Sequence, residues 1–169
     1  MSLTKRALSY TTSDFEITRM TEHDLLEVVE IEELSGLSRW GWEAYYTELH
    51  SSNRRLMYVA RLKRPLEHQD NCDLGAYIVA RLSAGELHIN NVAVRKEFRR
   101  QGLGRRLLGL ILEQGKKAKA DLALLEVRAG NTAAQALYEG CGFSTTARRP
   151  NYYSEPVEDA LIMTARLTD

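Results

Sequence analysis

A strand, a glycine-broken loop and a long helix follow one another between residues 86 and 115, and that succession restricts the folds open to this chain. The run ELHINNVAV reads as a strand. The next stretch, EFRRQGLGRRLLGLILEQG, sets Gly102 and Gly104 among Arg99, Arg100, Arg105 and Arg106, then continues with apolar residues at helical spacing. Glycine weakens a helix interior by about 0.5–1 kcal/mol relative to alanine. Clustered arginines also repel one another unless an anion lies between them. Both features require an explanation, and both sit where a strand hands over to a helix.

The flanking segments extend the pattern. FEITRM alternates as a strand, Thr21 and Asp24 mark a helix start, and Leu25, Val28, Val29 and Glu32 are spaced for an amphipathic helix. A second helix is expected from Trp42, after a turn around Gly36 to Gly41. LMYVARL and LGAYIVARL are β-rich runs separated by the charged loop KRPLEHQDNCD, which is long for a hairpin. Ala84 and Gly85 turn the chain into the strand at 86–94. Beyond the long helix, LALLEVRA predicts a buried strand, NTAAQALYEG a helix with Asn131 as N-cap, and FSTTA with VEDALIMTARL a closing strand pair. The order β, α, α, three strands, α, β, α, two strands predicts one α/β domain over residues 14–169, a mixed sheet with helices on its faces. Residues 1–13 are polar, unpatterned and expected to form a flexible tail.

At 169 residues one domain is the natural count, large enough to be stable without disulfide or metal. Lys plus Arg equals Asp plus Glu, 23 of each, which argues against a nucleic-acid or membrane partner. Basic character is instead local, at residues 95–106 and 116–119. No apolar run approaches membrane-spanning length and no apolar signal core opens the chain, so the expected compartment is cytoplasmic. Cys72 and Cys141 lack metal-ligand or CxxC spacing, and no metal site is expected. Cys141, in GCGF, reads as a small buried hydrophobe rather than a nucleophile, because no histidine is near it in sequence.

The loop at 99–105 has a physical reading. A helix start exposes up to four unpaired N–H groups and partial positive charge, which suits an anion. Gly102 and Gly104 allow close backbone approach, and the arginines add forked donors suited to phosphate. The loop is neither a Walker A motif, which needs a following Gly-Lys-Ser/Thr, nor the dinucleotide fingerprint, since Leu107 stands at the third glycine. The alternative is an ordinary strand-to-helix turn with a solvated basic face.

INNVAVRKEFRRQGLGRRLL resembles the acetyl-CoA-binding core of the GNAT superfamily of N-acetyltransferases, whose Arg/Gln-x-x-Gly-x-Gly/Ala pattern is met by Arg99, Gly102 and Gly104. The resemblance implies a single-domain GNAT fold, mostly antiparallel, with helices on both faces and a splayed strand. It places the pantetheine arm of acetyl-CoA on the backbone of Val92, Ala93 and Val94. The pyrophosphate falls on Arg100, Gln101, Gly102, Leu103, Gly104 and Arg105.

Glu126 interrupts an apolar strand, where a carboxylate costs free energy unless paired or functional. Asn131 and Tyr138 lie seven residues apart, about two helical turns, and share a helix face. Structural roles are open for each: Glu126 pairing with Arg128, Asn131 capping, Tyr138 packing. LEVRAGNTAAQALYEGCGF and NYYSEPVEDALIM are similar to the ribosomal-protein-alanine N-acetyltransferase family, with likeness from Phe15 to Leu167. That resemblance implies a general base at Glu126, a general acid at Tyr138 and a cofactor contact at Asn131. It further implies acetylation of a protein N-terminus, by direct transfer within a ternary complex. His88 then reads as a surface strand residue.

Substrate recognition departs from the family pattern. SGLSRWGW puts Arg39 before Trp40 where the family has proline, the loop at 63–73 is longer than usual, and Pro150 interrupts the run before NYY. Trp40, Tyr152 and Tyr153 are candidate peptide contacts. A GNAT enzyme for a small amine, and a non-catalytic acyl-CoA-binding module, stand as alternatives.

Overall fold

The structure, a computed structural model, describes residues 10–37, 39–51, 55–63 and 73–168. Cys72 and most of the charged loop that precedes it lie outside the described residues. In chain order the elements are β1 (Phe15–Arg19), α1 (Leu25–Leu34), α2 (Gly41–His50), β2 (Arg55–Leu62), β3 (Leu74–Ser83) and β4 (Glu86–Val94), then α3 (Leu103–Lys117), β5 (Leu122–Arg128), α4 (Thr132–Glu139), β6 (Ser144–Ser154) and β7 (Val157–Arg166). The strands form one seven-stranded sheet, in the order β1-β2-β3-β4-β5-β7-β6. Every neighbouring pair is antiparallel except β4 with β5. A parallel pair needs a crossover, and α3 supplies it.

The central strands are buried on both faces, so alternate residues enter two different cores. Leu56, Tyr58 and Ala60 of β2, with Ala76, Ile78 and Ala80 of β3, join Leu103, Leu107, Leu108 and Ile111 of α3. Met57 and Val59, with Tyr77 and Val79, join Leu25, Val28 and Ile31 of α1 and Tyr45 of α2. Helices therefore cover both faces, as the sequence predicts.

Two boundaries differ from the sequence expectation. Packing begins earlier, because the Tyr10 ring meets Phe98 edge-on at 5.0 Å and Thr12–Asp14 forms a 3-10 turn. Residues 1–9 lie outside the described residues. The strand expected only over FSTTA runs on to Ser154. It is an edge strand, where Pro150 removes no ladder donor, and register shifts at 145/147 and 149/153 absorb the extra residues.

Candidate active site

The site begins as a gap in the sheet. β4 pairs with β5 over four residues, from Glu86 opposite Leu122 to Ile89 opposite Leu125. Beyond that point β4 runs on to Val94 and β5 to Arg128 without pairing with each other. The divergence coincides with a bulge, since Val79 faces Asn91 and Ala80 faces Ile89, leaving Asn90 as the extra residue of β4. A bulge bends its strand and increases the local twist. The opening is a cleft of about 430 Å³, bounded by both strands, α4, the α1–α2 connection and the β6–β7 hairpin.

A buried polar network fixes one wall. Glu32 is fully buried in α1 and accepts from the N–H groups of Trp40 (2.9 Å) and Gly41 (3.1 Å) and from the Tyr45 hydroxyl (2.7 Å). Tyr45 also meets the Tyr77 hydroxyl at 2.8 Å and receives a bond from Asn91 Nδ2 at 2.8 Å. A buried carboxylate is tolerated only when its lone pairs are satisfied, and here they are. Burial raises the Tyr45 and Tyr77 phenols far above their ordinary value, so both stay neutral.

Glu126, Tyr138 and Asn131 all line this cleft, together with Val92, Trp40, Tyr152 and Tyr153. Val127 and Leu125 alternate inward on β5, which leaves Glu126 half-buried on the opposite face. The alternative role for Glu126, a local pairing with Arg128, is not found among the described residues. Arg128 bonds Glu158 at 3.1 Å and lies over the Tyr153 ring at 4.1 Å, because β7 brings Glu158 beside it. Glu126 instead pairs with Arg149 of β6, at 2.5 Å from Oε1. The same carboxylate is the first cause raising the pKa of Tyr152. Tyr138 is buried against Phe143, ring centroids 6.1 Å apart. Burial first, then the neighbouring Tyr153, holds its phenol protonated far beyond neutral pH. Asn131 caps α4, its Oδ1 accepting from Ala134 N–H at 3.1 Å. His88 is partly exposed beside Glu86 at 3.0 Å. Cys141 is half-buried, and burial raises its thiol pKa, away from nucleophilic chemistry.

At the other end of β4 the loop turns sharply. Gly102 caps α3 with φ +83° and Arg100 has φ +64°. Arg106 N–H, bonded to Gly102 O at 3.0 Å, is the first in α3 to find a backbone acceptor, so the N–H groups of Leu103, Gly104 and Arg105 project from the helix start. Gly104 answers to packing: a Cβ there would lie 3.0 Å from Leu137 Cδ2 of α4. The arginines divide by role. Arg99 Nε donates to Val94 O at 3.0 Å, and Arg106 donates to Thr12 O and Phe15 O at 2.8 and 2.9 Å. Arg100 and Arg105 are exposed and have no hydrogen bond or ion pair among the described residues. Gln101 turns inward with its Oε1 buried and unpartnered, and Ala93 is buried toward α1. A positive helix start with two uncommitted guanidiniums fits a phosphate-bearing ligand.

Residues 25–143 match the Acetyltransferase (GNAT) family. The chain belongs to that family. Among its GNAT relatives, the [ribosomal protein bS18]-alanine N-acetyltransferase of Escherichia coli K12 is 40% identical over 95 residues, covering 55% of this chain and 64% of that protein. This chain thus spans less than two thirds of that relative. The putative [ribosomal protein bS18]-alanine N-acetyltransferase of Bacillus subtilis 168 is 32% identical over 151 residues, 87% of this chain and 92% of the relative. The crystal structure of the Escherichia coli ribosomal-protein-S18-alanine N-acetyltransferase superposes with TM-score 0.76 at 29% identity, covering 92% of this chain and 95% of that one.

Sequence reasoning missed Arg149, and it read Glu32 only as a position on a helix face. Arg149 reaches Glu126 across 23 positions, which no local spacing reveals. Glu32 did leave a signal: it occupies an apolar-face position of α1, in register with Leu25 and Val28. Among the described residues no helix is long and apolar enough to cross a membrane, and no cluster of potential ligands suits a metal ion.

Proposed function

We propose that this GNAT protein transfers the acetyl group of acetyl-CoA to the N-terminal α-amine of a protein, in the cytoplasm, and that its substrate is the N-terminal alanine of a small-subunit ribosomal protein. The observation that carries the reading is that Glu126 and Tyr138 both line the cleft opened where β4 and β5 part. The names of its relatives support the protein substrate, and an open cleft bounded by Trp40, Tyr152 and Tyr153 has room for a chain end.

Acetyl-CoA enters as the acetyl donor, with Arg100, Arg105 and the start of α3 holding its phosphates. The backbone of Val92 and its neighbours on β4 receives the pantetheine arm, and Asn131 contacts the same ligand. The amine nitrogen attacks the thioester carbonyl, forming the N–C bond as the C–S bond breaks. Glu126, directly or through water, takes the proton that attack makes acidic. Tyr138, neutral at working pH, returns one to the departing sulfur. An α-amine, with pKa about 7.7–8.0, needs little help to reach its neutral form. Such acid–base assistance is typically worth roughly 10²–10⁴-fold.

The test mixes the protein with acetyl-CoA and two peptides, followed by mass. One has a free N-terminal alanine and no lysine; the other has a blocked N-terminus and one lysine. Acetylation of the first, reduced about 100-fold or more by Glu126→Gln and by Tyr138→Phe with acetyl-CoA binding retained, is the expected result. Wild-type rates in both variants would remove the site assignment. Modification of neither peptide would move the substrate to a small amine or the protein to a binding role.

A further inference from the structure

Both the carboxylate and the guanidinium that line the cleft have an opposite partner: Glu126 has Arg149, and Arg128 has Glu158. The first of these pairs is constructed with care. Arg149 and Tyr153 bracket a break in the β6–β7 register, within which Asn151 adopts φ +52°. Asp159 of β7 clamps that break, accepting from Asn151 N–H at 2.9 Å and from Arg148 Nε at 2.6 Å. The clamped bulge turns Arg149 onto Glu126 and sets its guanidinium over the Tyr152 ring at 5.6 Å. Bulges beside active sites characteristically re-aim side chains in this way.

An unpaired Glu126 would be a counter-ion for any ammonium near the cleft. With Arg149 on its Oε1, the pair carries no net charge, and an entering cation meets a guanidinium beside the carboxylate. Glu126 keeps a lone pair for a proton but loses its pull on cations. A neutral amine is admitted and an ammonium is not drawn in.

We infer that Arg149 is a specificity-determining residue, which selects α-amines over lysine ε-amines by neutralising the cleft carboxylate. The inference rests on the proposed N-terminal acetylation. At pH 7.5 about a third of an α-amine is neutral, against roughly one lysine ε-amine in a thousand. A cleft without attraction for ammonium preserves that difference, and one with a bare carboxylate erodes it.

The test measures kcat/KM at pH 7.5 for the two peptides above, with wild type, Arg149→Gln and Arg149→Lys. Arg149 lies on an edge strand with its side chain 53% exposed, so its replacement leaves the cores intact. Arg149→Gln is expected to lower the α-amine to lysine selectivity about tenfold, a change in keeping with one partly exposed charge. The lysine peptide should gain rate, and Arg149→Lys should restore the ratio. A parallel loss on both peptides, an unchanged ratio, or no recovery with lysine would overturn the inference. If wild type modifies neither peptide, the functional reading fails first and the selectivity role falls with it.

Discussion

Asn91 donates to the Tyr45 hydroxyl at 2.8 Å, joining the bulged strand that opens the cleft to the helix behind its opposite wall. Through Glu32, the same hydroxyl is linked to the backbone of Trp40. Tyr45→Phe removes the acceptor of Asn91 Nδ2, the partner of the Tyr77 hydroxyl and one of the two donors to Glu32 Oε1. The expected loss is about 1–3 kcal/mol of unfolding free energy in urea. KM for a peptide should rise more than KM for acetyl-CoA, since the network holds the Trp40 wall. An unfolding curve that matches wild type would mean water replaces the hydroxyl.

Gly104→Ala tests a packing reason for a glycine in the loop. Its new Cβ would stand 3.0 Å from Leu137 Cδ2, a contact that a side chain can partly relieve. A cost of roughly 1 kcal/mol is expected, and it should largely vanish in a Leu137→Ala background. Additive costs in the double mutant would show that Leu137 is not what the glycine accommodates.

Arg100 and Arg106 should separate binding from folding. Arg100→Ala loses no intramolecular bond among the described residues, so acetyl-CoA affinity by calorimetry is expected to weaken about tenfold with Tm unchanged. Arg106→Ala loses its bonds to Thr12 O and Phe15 O, and should lower Tm while affecting affinity less. The reverse pattern would put the phosphates on the other side of α3.

Alkaline stability follows from the buried phenols. Tyr45, Tyr77 and Tyr138 have folded pKa values raised above the ordinary value of 10.0, chiefly by burial. The unfolded chain therefore loses these protons first. Stability from this source is complete below about pH 10 and declines as pH climbs toward the folded values, by up to about 1.4 kcal/mol per pH unit for each tyrosine. Tyr138→Phe should flatten that decline by one proton's worth. An unchanged slope in pH-dependent urea unfolding would show that Tyr138 ionises freely in the folded protein.

The strand and helix order was legible because it rests on local periodicity, and Asn131 was legible as a cap because its bond to Ala134 spans three residues. Glu126 stood out as a carboxylate in the apolar strand LALLEVR. Its true partner did not, since Arg149 meets it only after β7 is placed between β5 and β6. Arg128, the near choice in sequence, is drawn away by Glu158 for the same reason. The role of Gly104 was hidden likewise, because Leu137 reaches it only when α4 docks beside α3.

The interrupted ladder between β4 and β5 divides the sheet into two leaves, β1-β2-β3-β4 and β5-β7-β6, bound along a spine only four residue pairs long. Zipping one more pair would close the leaves toward each other, and fraying one would spread them. Site width is therefore set by where a few backbone hydrogen bonds stop, at Ile89 and Leu125, rather than by the bulk of any side chain.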